Sequence, residues 1–204
     1  MKNKFLTVFL VFIFSLSLLT ATEAEEFNFD IAELQITNNG NTIKGINGGT
    51  VTTKDNQIVI TANNFRYNRL TTLLEAEGNV KLDDRNKDII IYANEIHYLK
   101  NVEEISTIGK TDIIIEDKYN VKGDDIILFK NKMILSSFEK ATITDNNSKF
   151  YELNQFEYAI NTEILKGEQI KITRNKKKDK TDQLYFQKGF FNLKENKFLG
   201  KDVS

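Results

Sequence analysis

Hydrophobic and polar positions alternate with a period of two through most of the chain beyond its first 25 residues, in stretches such as "TVTTKDNQIVITA", "NVKLDD", "TDIIIED" and "ATITD". Clusters of Asn, Asp and Gly separate these stretches. A period of two is the mark of strands with one face turned to a core, so the pattern predicts short β-strands rather than helices. "TEILKGEQIKI" has a helix-compatible composition, but Gly167 and the β-branched ending favour a strand. The sequence has no proline, which suits long hydrogen-bonded ladders where a missing N–H would leave a gap.

The alternation itself recurs. "IVITANNFRY" (58–67) returns as "IIIYANEIHY" (89–98), so the apolar positions Ile60, Ala62, Phe65 and Tyr67 are matched by Ile91, Ala93, Ile96 and Tyr98, about 31 residues on. Further copies place Val121, Gly123, Ile126 and Leu128, then Tyr151, Leu153, Phe156 and Tyr158, in the same pattern. One step backward gives Phe29, Ile31, Leu34 and Ile36. A last copy, displaced by an insertion of about five residues, gives Phe186, Lys188, Phe191 and Leu193. Six copies define a repeat architecture in which each unit buries its apolar face against the next.

Each copy skips a beat, with spacings of two, three and two. In an unbroken strand this would turn Ile60 and Ala62 to one face and Phe65 and Tyr67 to the other. A bulge at Asn63 and Asn64, repeated at Asn94 and Glu95 and at Asp124 and Asp125, brings both pairs back to one face. Stacked strands bent at the same point make a sheet folded along its length, a trough with an apolar inner wall. Three residues past each apolar quartet lies a turn signal, Asn in five copies (Asn39, Asn101, Asn131, Asn161, Asn196), a residue that tolerates positive φ. Leu70 is the exception, with Asn68 nearby to take over. Return strands follow on Leu74, Ala76, Val80 and Leu82, on Ile105, Thr107, Thr111 and Ile113, and on Leu135, Ser137, Ala141 and Ile143. Each unit is thus one hairpin.

Composition narrows the function classes. Residues 1–24 carry Lys2 and Lys4, an apolar run from Phe5 to Leu19 and small residues ending at Ala24, the layout of a secretory signal peptide. The run is shorter than the roughly 20 residues a membrane-spanning helix needs. Residues 25–204 form one exported domain, and with no cysteine in the sequence it must be held by burial and backbone pairing. A balance of 28 basic against 29 acidic residues argues against a nucleic-acid partner. His97, the one histidine, sits between two inward positions and so faces outward. With no nucleophile-and-base arrangement, the reading is not an enzyme, and no cofactor or metal is expected. The carboxylate pairs Asp83 with Asp84, Glu103 with Glu104, and Asp124 with Asp125 fall at turns and bends and read as solvated. The run "RNKKKDK" (174–180) reads first as a solvated loop, with attraction to phosphates as its functional alternative.

The strings "VITANNFRYNRLTTLLEAEGNVKL" and "IIYANEIHYLKNVEEISTIGKTDI" resemble the organic-solvent-tolerance-like (OstA) family of lipopolysaccharide transport proteins, through an "A-N-x-x-x-Y" element and "EAEGNV". The resemblance covers nearly the whole exported part. It implies an all-β fold, repeated β-hairpins stacked into a folded, twisted LptA-like β-jellyroll with an apolar groove. It further implies lipopolysaccharide as cargo, a periplasmic location associated with the outer membrane, and edge-strand pairing with other jellyroll transport proteins. Within the family, "FNFDIAELQITNNGNTIKGINGGTVTT" and the closing "FNLKENKFLGKDVS" resemble the stretches leading into the outer-membrane barrel of LptD. On that reading the chain is truncated within its sixth hairpin, and the barrel and its lipoprotein are further partners; a free-standing LptA-type protein is the alternative. A secreted structural β-repeat module without lipid cargo is the other class kept open. The groove wall is expected at Ile60, Phe65, Tyr67, Leu74, Ile91, Ile96, Tyr98, Ile105, Ile126, Leu128, Phe156 and Tyr158, residues that would equally well pack a closed core.

Overall fold

The computed structural model describes residues 26–147, 149–176 and 180–203, so the expected signal peptide lies outside the described residues. Among the described residues sixteen strands form one sheet in which nearly every strand is hydrogen-bonded antiparallel to its neighbours in sequence. β1 (Phe27–Thr37) and β2 (Thr42–Thr53) open it, followed by β3 (Ile58–Ala62), β4 (Asn64–Asn68), β5 (Leu73–Asp84), β6 (Ile89–Leu99) and β7 (Glu104–Ile115). The second half contains β8 (Tyr119–Asp124), β9 (Ile127–Phe129), β10 (Ile134–Ser137), β11 (Ala141–Asp145), β12 (Lys149–Leu153) and β13 (Gln155–Ala159), then β14 (Ile164–Lys176), β15 (Lys180–Asn192) and β16 (Lys197–Val203). β3 with β4, β8 with β9, β10 with β11, and β12 with β13 are each one pass interrupted in its middle. The sheet is therefore a meander of twelve long passes, as the hairpin repeat predicts.

The skipped beat is a bend in the backbone. β3 and β4 part at Asn63, the β6–β7 ladder slips between Ala93 and Glu95, and β8 and β9 part around Asp125, whose φ is 49°. In the sixth copy the register does not shift; pairing lapses at Gln187 and the change of face comes two residues earlier than the spacing predicts, with Phe186 paired to Ile170 in the core and Lys188 facing outward against Glu168. Four of the return passes bend as well. Gly48, Gly78 and Gly109 adopt φ of 80°, 79° and 72°, and Gln169 takes the same left-handed region at 49°. Glycine enters that region without a steric penalty, so the chain turns there while its ladder continues.

The tight turns depart from the sequence expectation. Only Asn39 and Asn196 among the five expected asparagines have positive φ. Asn101 and Asn161 sit inside short 3-10 turns (Lys100–Val102 and Ile160–Thr162), and the left-handed residue comes two positions later, at Glu103 and Glu163; Met133 does the same after Asn131. In the turn that lacks Asn at this position the left-handed residue is Thr72, at φ 54°, and Asn68 serves only as a cap, its side-chain oxygen accepting from the N–H of Leu70 at 3.0 Å and of Thr71 at 3.3 Å.

Candidate functional site

The inner faces of the twelve passes meet in one continuous apolar core. All twelve expected wall residues lie in it, from Ile96, Tyr98 and Tyr158 at 0 % exposure to Phe156 at 5 %. The return positions Leu74, Ala76, Val80 and Leu82 are buried with them, as are Thr107, Thr111 and Ser137. The buried hydroxyls serve the bends: Thr107 accepts from the Ile126 N–H at 3.0 Å and Thr111 donates to Thr107 at 2.7 Å. The two walls of the trough are in contact and its inner face is filled by its own side chains. Phe27, at the start of β1, packs edge-on against Tyr67 and Tyr98 at ring separations of 5.1 and 5.7 Å, and Tyr119 meets Tyr158 at 5.7 Å.

The folding of each pass brings its two ends together, so the turns form two lips. The lip of turns at 53–58, 84–89, 115–119 and 145–149 lies against the lip at 37–42, 68–73, 99–104, 129–134, 159–164 and 192–197. Polar groups bridge them. The Lys130 ammonium, whose side chain is 15 % exposed, lies 3.2 Å from the carboxylate of Asp84, which is 1 % exposed, and 3.3 Å from Glu103. Asp84, expected to be a solvated turn residue, is thus buried, and neither of its oxygens has a well-formed hydrogen bond. It sits at an end of β5 that the fold turns inward against the opposite lip. Glu103 accepts from the Tyr98 hydroxyl at 2.7 Å and pairs with Lys100. Further along, Glu163 accepts from the Tyr119 hydroxyl at 2.8 Å and pairs with Lys118, and Lys149 donates to Asn196.

Electrostatics follow from this arrangement. Burial opposes ionisation of Glu103, but hydrogen bonds from Lys100 and Tyr98 and the charge of Lys130 hold its carboxyl below the ordinary range. Glu163 is likewise lowered: burial works against it, and Lys118 and Tyr119 outweigh that. Burial, joined by hydrogen bonds to Glu103 and Glu163 respectively, pushes the Tyr98 and Tyr119 hydroxyls well up. These tyrosines are donors that close the seam.

His97 is half-buried on the outer face, 2.8 Å from Glu95. Among the described residues no cluster of His, Asp and Glu is arranged to hold a metal ion, and no helix is long and apolar enough to cross a membrane. The side chains of "RNKKKDK" lie outside the described residues; its flanks are the ends of β14 and β15. β1 and β16 each have a single neighbour in the sheet. At these two edges the inner face is incompletely covered: Leu34 and Ile36 are 44 % and 62 % exposed on β1, and Phe198 is 53 % exposed on β16 while packing on Phe186 and Phe191.

These features define a class, an antiparallel meander folded along its length around an apolar interior that runs from one free edge to the other. No family model and no curated protein matches the chain. Among solved structures it is similar to LptH, the LptA homologous periplasmic component of the lipopolysaccharide transport device from Pseudomonas aeruginosa. The TM-score is 0.47 at 14 % identity, covering 62 % of this chain and 92 % of that one. At those values the likeness is one of partial shape.

Proposed function

We propose that the chain is a periplasmic carrier of lipopolysaccharide, holding lipid A acyl chains between its two walls as the N-terminal jellyroll domain of an LptD-type outer-membrane assembly protein. The observation that supports this reading best is the edge-to-edge apolar interior, with Leu34 and Ile36 exposed at one end and Phe198 at the other. A closed sandwich has no use for inner-face apolar residues bared at both edges. A channel shared with neighbours of the same fold does, because an added strand at β1 or β16 would cover them. The physics suits the cargo: each methylene removed from water is worth roughly 0.8 kcal/mol, and these walls meet through side-chain packing and a polar seam. Acyl chains would replace the wall-to-wall contacts of Ile96, Tyr98, Phe156 and their neighbours. In this reading the walls part along the seam to admit them.

The choice of LptD rests on the resemblance of the opening and closing stretches, and a free-standing LptA-type bridge is the alternative. The DNA downstream of Ser204 separates the two, since an in-frame run of amphipathic barrel strands belongs only to LptD. The carrier reading itself is tested by photo-crosslinking in cells. A photoreactive residue at Ile96 or Phe156 should capture lipopolysaccharide, and capture only from the outward Glu95 would overturn the reading in favour of a structural module.

A further inference from the structure

The Lys130 ammonium lies between two carboxylates, that of Asp84 on the opposite lip at 3.2 Å and that of Glu103 on its own lip at 3.3 Å. The setting is apolar. Asp84 is paired across the strands with Ile58 on one side and Ile89 on the other, both buried, and the ammonium stands 5.9 Å over the ring of the buried Tyr98. Packing alone does not ask for charge here. In the next repeat the corresponding positions are held by Ile115 and Ile160, both buried, and a buried ion pair commonly gives way to apolar side chains of similar volume without loss of stability. Asp84 moreover keeps two buried oxygens without a well-formed hydrogen bond, a costly state for a carboxylate that only serves structure.

We propose that Lys130 and Asp84 react with each other to form an intramolecular isopeptide bond across the seam, with Glu103 moving the proton. Transfer of one proton from the ammonium to the Asp84 carboxylate removes both buried charges and leaves an amine facing a carboxylic acid. The Nζ lone pair adds to Asp84 Cγ, the two lips holding the groups in place. Glu103, which accepts hydrogen bonds from Lys100 and Tyr98, takes a proton from Nζ and delivers it to the departing hydroxyl. The C–N bond forms, the C–OH bond breaks and one water leaves, with no oxidant, reductant or cofactor consumed. The pair of Lys118 with Glu163 is the contrast within the same seam: its lysine is exposed to water, so it stays ionic. The bond closes the chain from 84 to 130 into a covalent ring, which restrains the unfolded chain as well as the folded one. On the carrier reading it pins the walls at this point, and they part further along, at Lys118 with Glu163 and at Lys149 with Asn196. The bond itself does not depend on that reading.

Mass spectrometry of the full chain, purified from a Gram-negative host, decides it. From whichever residue it begins, the intact protein should weigh about 18 Da less than its residues sum to. Trypsin should release Leu82–Arg85 joined to Gly123–Lys132, uncut at Lys130, and fragmentation should place the link on Asp84. A chain at its full residue mass, or a link on Asp83 or any other residue, overturns the proposal. Lys130→Arg should restore the full mass. Glu103→Gln leaves both partners in place and should lower the linked fraction roughly ten-fold or more after the same time; linking as complete as in the parent overturns the part given to Glu103. An unchanged far-UV β signal shows that each variant is folded, and the parent's own mass decides the bond should a variant fail to fold. Because the readout is mass, it is independent of lipid capture at Ile96: capture without the mass loss retains the carrier and removes only the bond, and mass loss without capture does the reverse.

Discussion

β5, β6 and β7 run unbroken for eleven or twelve residues each, whereas the three passes between 119 and 159 are each split into two short strands. Both regions carry the same repeat and bury the same inner positions, so hydrophobic pattern does not separate them. What differs is how the bend is made. β5 and β7 turn at Gly78 and Gly109, which accept positive φ and let the ladder resume after a slip. The pass of β10 and β11 has Phe138, Glu139 and Lys140 at that place, and the ladder lapses for all three residues. Ser137 repairs part of the loss, donating to the Asp124 carbonyl at 2.9 Å and accepting from the Glu139 N–H at 3.0 Å. A fold line can thus be written with a left-handed residue, glycine or the Gln169 of β14, or with a break, and the break leaves two half-sheets joined by single strands of backbone.

The seam also differs along its length. At one point it is closed by a buried pair, Lys130 with Asp84; further along it is closed by Lys118 with Glu163, where the lysine side chain is 40 % exposed. Breaking a buried pair from one side strands a charge and costs about 3–5 kcal/mol, whereas an exposed pair is worth about 1 kcal/mol or less. Lys130→Met should therefore lower the denaturant midpoint far more than Lys118→Met, and Asp84→Asn added to Lys130→Met should recover part of the loss. Equal effects would show that the two ends of the seam are closed alike.

Glycine bends can be tested by size and by conformation. A Cβ at Gly78 would stand 2.7 Å from the Asn63 side chain, while at Gly109 it would meet nothing within 4 Å. Gly109→Ala should cost only the backbone penalty of the left-handed region, about 1 kcal/mol. Gly78→Val adds crowding and a β-branched side chain at positive φ, so about 2–3 kcal/mol is expected from chemical denaturation.

The inner face was legible in the sequence because a period of two with one skipped beat leaves few alternatives: Ile60, Ala62, Phe65 and Tyr67 can share a face only if the strand bends between them. The glycine bends of the return passes carried an equally regular signal, Gly48, Gly78 and Gly109 at about the same period, but apolar positions alone do not reveal it. The turn residue was misplaced because Asn prefers positive φ only where the turn needs it. At Asn101 and Asn161 a 3-10 turn comes first and hands that conformation to a glutamate. Asp84 and Glu163 were not legible as seam residues. Their partners lie about one and a half repeats away, and only the angle of the fold decides which turns face one another.

Acid should act on the seam with a definite sign. Glu103 and Glu163 have folded-state values below the ordinary 4.5, so the stability they contribute is complete above that value and is lost as pH falls through their lowered folded values. Thermal unfolding followed between pH 6 and about pH 3 should show a loss that Glu163→Gln reduces. An unchanged pH profile in that variant would mean that Lys118 and Tyr119 do not hold the carboxylate in solution.

The smallest effect is expected at the residue that looks most anomalous, Phe138, which is 85 % exposed in the gap between β10 and β11. If glycine and breakage are two ways to make one bend, the side chain at the break has no packing to lose. Phe138→Ser should then leave stability within about 0.5 kcal/mol, as for most surface changes. Phe138→Gly offers the pass the residue that its neighbours use. Left-handed φ becomes free there, so the ladder has the chance to close across 138–140 as it does across Gly109, and amide exchange at Glu139 and Lys140 should slow. Unchanged exchange in Phe138→Gly would show that the break is imposed by the neighbouring passes around Asp125 and Asn154, where the chain is also interrupted, and not by the absence of one glycine.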